Sequence, residues 1–115
     1  NFGHFPPSQP FTVYAGNIEA LLSEILSFAN KGKGKFGFFV SQETAEKIPA
    51  GNIIVVWGRR RNKKELAHNL FQGLLFFNNH PVDHIIGEGT DGEGIGMAIM
   101  NRLTKASGTH IINMN

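Results

Sequence analysis

The residues Asn52 to Trp57 (NIIVVW) constrain this chain more than any others. They form an apolar run closed on both sides by a glycine, Gly51 and Gly58. The run reads as a strand. A strand apolar at nearly every position suits one covered on both faces, as in a parallel sheet. That alone points to helices lying above and below a sheet.

The rest of the chain supplies such helices in alternation with further strands. Phe11 to Ala15, Lys35 to Val40, Val82 to Gly87 and Thr109 to Asn113 read as four more strands. Between the first two, Ile18, Leu21, Leu22, Ile25 and Ala29 recur at helical spacing, with Asn17 placed to accept from an early helical N–H. Ser41 opens a short helix to about Lys47, stopped by Pro49. A longer helix runs from about Lys63 to Asn78 with Leu66, Leu70, Leu74 and Phe77 in one stripe, and Phe71 and Phe76 are read as core with Phe77. A last helix ends near Ala106, with Ile95, Ala98, Ile99 and Leu103 on one side and Gly108 at the stop position. Strands and helices in this order imply an α/β, Rossmann-like three-layer sandwich, with about five mostly parallel strands and helices on both faces. A flavodoxin-like strand order is the expectation.

At 115 residues the chain fits one domain. Residues 1–10 carry Pro6, Pro7 and Pro10 and read as an interdomain linker remnant, leaving 11–115 as the folded unit. The missing initiating methionine fits either a trimmed start or a chain cut from a longer one. The start has no charged segment followed by an apolar one, so no signal peptide is expected. No apolar run nears the roughly 20 residues that cross a bilayer, so no membrane partner is expected. The absence of cysteine excludes disulfides and thiol chemistry, and suits a reducing compartment.

The net charge of +2 is too small to argue for nucleic acid, yet the cations are clustered. Arg59, Arg60, Arg61, Lys63 and Lys64 fall within six residues after the third strand. They read either as a phosphate or RNA contact or as a solvated loop, although cations are mildly unfavourable at a helix start. A glycine-rich loop, Gly87 to Gly96, follows the fourth strand on the same carboxyl edge. Its Gly89, Gly92, Gly94 and Gly96 would let backbone approach an anion or nucleotide at a helix N-terminus.

Three readings of that loop stay open. It is a tight turn whose acids cap the next helix, an anion contact, or a carboxylate metal site built from Glu88, Asp91 and Glu93. Gly87-x-Gly89-x-x-Gly92 also matches the letters of the dinucleotide fingerprint, but it follows the fourth strand rather than the first. The five histidines show no ligand spacing, and no serine stands in a nucleophile elbow, so neither a histidine metal centre nor a hydrolase triad is expected.

Three stretches together carry a resemblance: Asn69-Leu70-Phe71, then Val82-Asp83-His84-Ile85-Ile86-Gly87-Glu88, then Glu93-Gly94-Ile95-Gly96-Met97-Ala98-Ile99-Met100-Asn101-Arg102-Leu103-Thr104-Lys105-Ala106. They resemble the C-terminal accessory domain of the long-form L-threonylcarbamoyladenylate synthases, where the pattern is N-L-F, V-D-x-I-x-x-E, then E-G-[LI]-G-x-A-I-x-[ND]-R-L-x-[KR]-A. His4-Phe5-Pro6-Pro7 is similar to that family's R-H-Y-A-P interdomain linker, with Gly3, Phe5 and Pro6 standing where the arginine, tyrosine and alanine would be.

The resemblance implies a catalytic YrdC-like domain, in cis or in trans, that binds ATP with magnesium, L-threonine and bicarbonate. That domain makes threonylcarbamoyl-AMP for the modification of tRNA. The linker residues His4, Phe5 and Pro7 would fold over its cleft, in the cytoplasm. The present chain would be non-catalytic and hold no cofactor of its own, closing over or regulating that domain. The competing expectation is a free-standing nucleotide- or tRNA-binding module.

Overall fold

The structure, a computed structural model, describes residues 7–31, 35–108 and 110–115. In chain order it contains β1 (Phe11–Gly16), α1 (Ile18–Ala29), β2 (Phe36–Ser41), α2 (Gln42–Ala45), β3 (Ile53–Gly58), α3 (Lys63–Asn79), β4 (His84–Glu88), α4 (Ile95–Ser107) and β5 (Ile111–Met114). The local signals act as expected at the helix ends. Asn17 Oδ1 accepts from the Ala20 amide at 2.9 Å, and Gly108 closes α4 in the left-handed conformation at φ 65°.

All five strands pair in parallel, in the order β3-β2-β4-β1-β5. This corrects the flavodoxin-like order. β4 inserts between β2 and β1, pairing Phe36 to Phe39 on one side and Phe11 to Tyr14 on the other. Its Ile85 and Ile86 are fully buried, one on each face of the sheet. The centre therefore goes to the strand that can bury both faces completely.

β3 does not meet the expectation of full cover. It lies at the sheet edge with β2 as its neighbour. Ile53, Ile54 and Val55 are half-buried, Val56 is exposed, and only Trp57 and Gly58 at the end are buried. Helices can lie over both faces of an edge strand while its outer flank stays open, so an apolar run does not by itself fix a central position.

The helices divide between the faces. Leu21, Ile25 and Ala29 of α1 pack with Tyr14, Phe38, Val40 and Ile86, joined by Ile48 beyond α2. The stripe Leu66, Leu70, Leu74 and Phe77 of α3 packs with Phe39, Trp57 and Ile85 on the opposite face, joined by Ile99 and Leu103 of α4. Successive strand residues alternate between the two cores, as the pleat requires.

Four helical residues fall outside their expected faces. Ile18 is exposed because it stands in the first turn of α1, beyond the end of β1. Ile95 and Ala98 are also exposed. α4 instead turns Gly96, Ile99, Leu103 and Ser107 inward. Gly96 must face that way because its Cα abuts the Asp91 carbonyl, where a side chain would not fit. Phe71, expected in the core with Phe76 and Phe77, is exposed on α3, one residue past the buried Leu70.

Of the proline-rich start, His4 and Phe5 lie outside the described residues. Pro7 is buried, and Gln9 Nε2 donates to the Phe77 carbonyl at 2.8 Å near the end of α3. The Pro10 carbonyl then accepts from the Ile85 amide, which leads directly into β1. Among the described residues no helix is long and apolar enough to cross a membrane.

Candidate functional site

In an open parallel sheet, ligands settle beyond the carboxyl ends of strands whose connections leave in opposite directions. Here β2 connects outward to β3, and its neighbour β4 connects the other way to β5. Their carboxyl ends are Ser41 and Glu88, so these two residues mark the crevice.

The crevice is filled by the protein's own side chains. Glu88 is 2% exposed. Its Oε1 accepts from the Ser41 amide at 2.9 Å and from the Ser41 hydroxyl at 2.8 Å. Its Oε2 accepts from Arg60 Nε at 2.9 Å. The Arg60 guanidinium also donates to Thr44 Oγ1 at 2.9 Å, and the Arg60 amide donates to Glu43 Oε1 at 2.9 Å. Ser41 caps α2 as well, its oxygen accepting from the Thr44 amide at 3.2 Å. One arginine from the loop after β3 thus ties that loop to α2 and to the end of β4.

The neighbouring charges are paired in the same manner. Lys63 Nζ meets Asp91 Oδ1 and also donates to the Glu93 carbonyl at 3.1 Å. The Glu65 carboxylate accepts from the Arg59 amide at 2.8 Å. The Lys63 ammonium, and then the Glu93 amide, hold the Asp91 carboxyl below the usual carboxylate range. The Arg60 amide does the same for Glu43, against the opposing effect of burial. Glu43, Glu65, Glu88 and Asp91 therefore surround the cationic run. Among the described residues, the side chains of Arg59, Arg61 and Lys64 make no ion pair and no hydrogen bond.

The sequence placed the basic run and the glycine-rich loop on one edge, and the structure brings them into contact through Arg60–Glu88 and Lys63–Asp91. The acids do not cap α4. Gly94 stands at its N-cap with no side-chain hydrogen bond, and Asp91 instead accepts from the Glu93 amide at 3.0 Å. Glu88, Asp91 and Glu93 do not converge either. Glu88 turns into the crevice and Asp91 toward Lys63, and among the described residues no group of three metal-ligating side chains gathers. Of the four candidate glycines, Gly89 donates to the Tyr14 carbonyl at 2.8 Å and Gly96 to the Glu93 carbonyl at 2.9 Å. Gly92 and Gly94 face open space.

Sequence reading missed the part played by Ser41, Glu43 and Thr44. Ser41 was legible as a helix cap, but its second role with Glu88 depends on which strands are neighbours.

Beside the filled crevice an open cleft of about 330 Å³ remains. It is lined by Ile18 and Leu21 of α1, by Arg60 and Arg61 after β3, and by Glu88 to Asp91 at the end of β4 and beyond.

Comparison with known proteins fits this architecture to a family. Residues 2–108 match the model for "Threonylcarbamoyl-AMP synthase, C-terminal domain". The chain is 31% identical over 111 residues to the threonylcarbamoyl-AMP synthase of Bacillus subtilis, covering 96% of this chain and 32% of that protein. It is 32% identical over 119 residues to the Pyrococcus abyssi enzyme of the same name, covering 98% and 32%. The chain therefore spans about a third of the length of these relatives. The crystal structure of P. abyssi Sua5 complexed with L-threonine superposes with a TM-score of 0.76 at 32% identity, over 95% of this chain and 31% of that one. A C-terminal Sua5 domain from Pyrococcus horikoshii, crystallised as a separate chain, gives 0.64 at 26% identity over 94% and 99%. The chain belongs to the family of threonylcarbamoyl-AMP synthase C-terminal domains.

Proposed function

We propose that this chain is a non-catalytic accessory domain that closes over or regulates a threonylcarbamoyl-AMP synthase catalytic domain. The span of the match carries this reading. Almost the whole chain corresponds to a domain described as C-terminal, in relatives about three times as long. ATP, magnesium, L-threonine and bicarbonate would be bound by the YrdC-like domain, and the product would serve tRNA modification in the cytoplasm.

The carboxyl edge supports the same reading. Glu88 and Asp91, the carboxylates best placed for acid–base or metal chemistry, are spent on Arg60 and Lys63. The part-buried Gln9 contact fits a segment that arrives in a defined place. It seats the incoming segment on α3 and fixes where that segment enters the fold.

The test is an exchange. The matching third of the B. subtilis enzyme is removed, then replaced by this chain. Deletion should lower kcat/KM for threonylcarbamoyl-AMP formation, and the graft should restore it in part. A truncated enzyme with unchanged kinetics would overturn the accessory role.

A further inference from the structure

The open cleft beside Arg60 has the features of a receptor for one kind of small molecule. At about 330 Å³ it lies near the low end of ligand clefts, roughly 300–1,000 Å³. Arg60 is part of its wall, and Arg60 cannot wander. Glu88 holds Nε and Thr44 holds one terminal nitrogen, which spends two of the five guanidinium N–H donors. The remaining donors belong to a cation fixed in place before any ligand arrives, so little ordering entropy remains to be lost on binding. Arg61 lines the same cleft, exposed, with a side chain that makes no ion pair or hydrogen bond among the described residues. Part of the lining is apolar, and its Ile18 is 46% exposed although Leu21, Ile25 and Ala29 of the same helix are buried.

The charge on the lining selects among anions. Two guanidiniums are opposed by the Glu88 and Asp91 carboxylates in the same cleft. A dianionic phosphate or a polyphosphate would meet those carboxylates at short range. A monoanion would meet the same carboxylates with less repulsion, and a planar carboxylate matches the guanidinium fork. Ile18, exposed in the cleft, offers contact to a short alkyl group.

We propose that this cleft binds a small aliphatic carboxylate, its anion held by Arg60 and Arg61 and its alkyl part laid on Ile18. The site does not depend on the accessory role and is a property of this chain alone.

Backbone amide NMR of the 115-residue chain tests it, since the related P. horikoshii domain was crystallised as a separate chain. The probes are acetate, isobutyrate, L-valine, inorganic phosphate and AMP. Isobutyrate or L-valine should give saturable shifts at Gly16, Gly89 and Thr90, with acetate weaker. Whichever of the two binds more tightly tells a plain acid from an amino acid. Arg61→Gln, an exposed position that leaves the fold intact, should weaken binding about tenfold. Ile18→Ser should remove the advantage of isobutyrate over acetate. No saturable shift with any carboxylate, unchanged affinity in Arg61→Gln, or tighter binding of phosphate or AMP would each overturn the proposal.

Discussion

Arg60, in the loop after β3, donates from Nε to Oε2 of Glu88 at the end of β4, 2.9 Å away and 28 residues along the chain. The contact spans β2, which lies between the two strands. It fills the crevice where a sheet of this kind would hold a ligand, and it makes the basic loop part of the fold.

Substituting Glu88 should therefore be costly. Glu88→Ala would leave the buried Ser41 amide without its acceptor and Arg60 without its counter-charge. Arg60 is partly exposed and can recover some solvation, so the cost should be about 2–3 kcal/mol, less than for a fully buried pair. Asp91→Asn, at an exposed pair, should cost under about 1 kcal/mol. Urea unfolding midpoints at constant slope compare the two, and equal losses would contradict the distinction.

Gly73 of α3 lies against the ring of Phe39, whose Cε1 would stand 2.6 Å from an added Cβ. Alanine normally gains about 1 kcal/mol over glycine inside a helix. Here Phe39 is fully buried and stacked on Trp57 at 4.7 Å between centroids, so the ring has no room to yield. Overpacking of about 1–3 kcal/mol should win, and Gly73→Ala should lower the thermal midpoint. Gly92→Ala, with nothing near the added carbon, should leave it almost unchanged.

His84 on β4 shares a hydrogen bond of 2.8 Å with Thr12 Oγ1. Burial, and then the nearby His110, pushes its pKa below the ordinary 6.5. The folded chain then binds fewer protons than the unfolded one between that lowered value and 6.5. Stability is full above the ordinary value and falls as the pH drops through this window. His84→Gln should flatten the slope, and the imidazole resonance of His84 should titrate below 6.5 in a pH series. A midpoint at or above 6.5 would contradict the assignment.

Asn17 supplies the first turn of α1 with its one side-chain acceptor. Asn17→Ala should cost about 1 kcal/mol by denaturant unfolding. No measurable loss would mean that water satisfies the Ala20 amide equally well.

Much of this architecture was legible from local chemistry. Five short apolar runs, one of them closed by glycines, marked the strands, and the leucine spacing of α3 marked its buried stripe. Asn17, Ser41 and Gly108 announced helix ends through the shape of their own side chains or backbone. Strand order was not legible, because it depends on pairings between segments about 50 to 70 residues apart, such as Phe36 with His84 and Phe11 with Ile85. The site suffered for the same reason. The sequence displays Arg59 to Lys64 as a block of charge, and only the placement of β4 beside β2 brings Glu88 to Arg60. The rotation of α4 was hidden as well, since Ile95 looks like core until Gly96 is seen to need the space beside Asp91.

The accessory role is tested most directly by pyrophosphate release from ATP, with L-threonine and bicarbonate present, catalysed by the purified 115-residue chain alone. The account predicts a rate no different from the protein-free background. Turnover above that background, rising in proportion to the amount of chain, would contradict it.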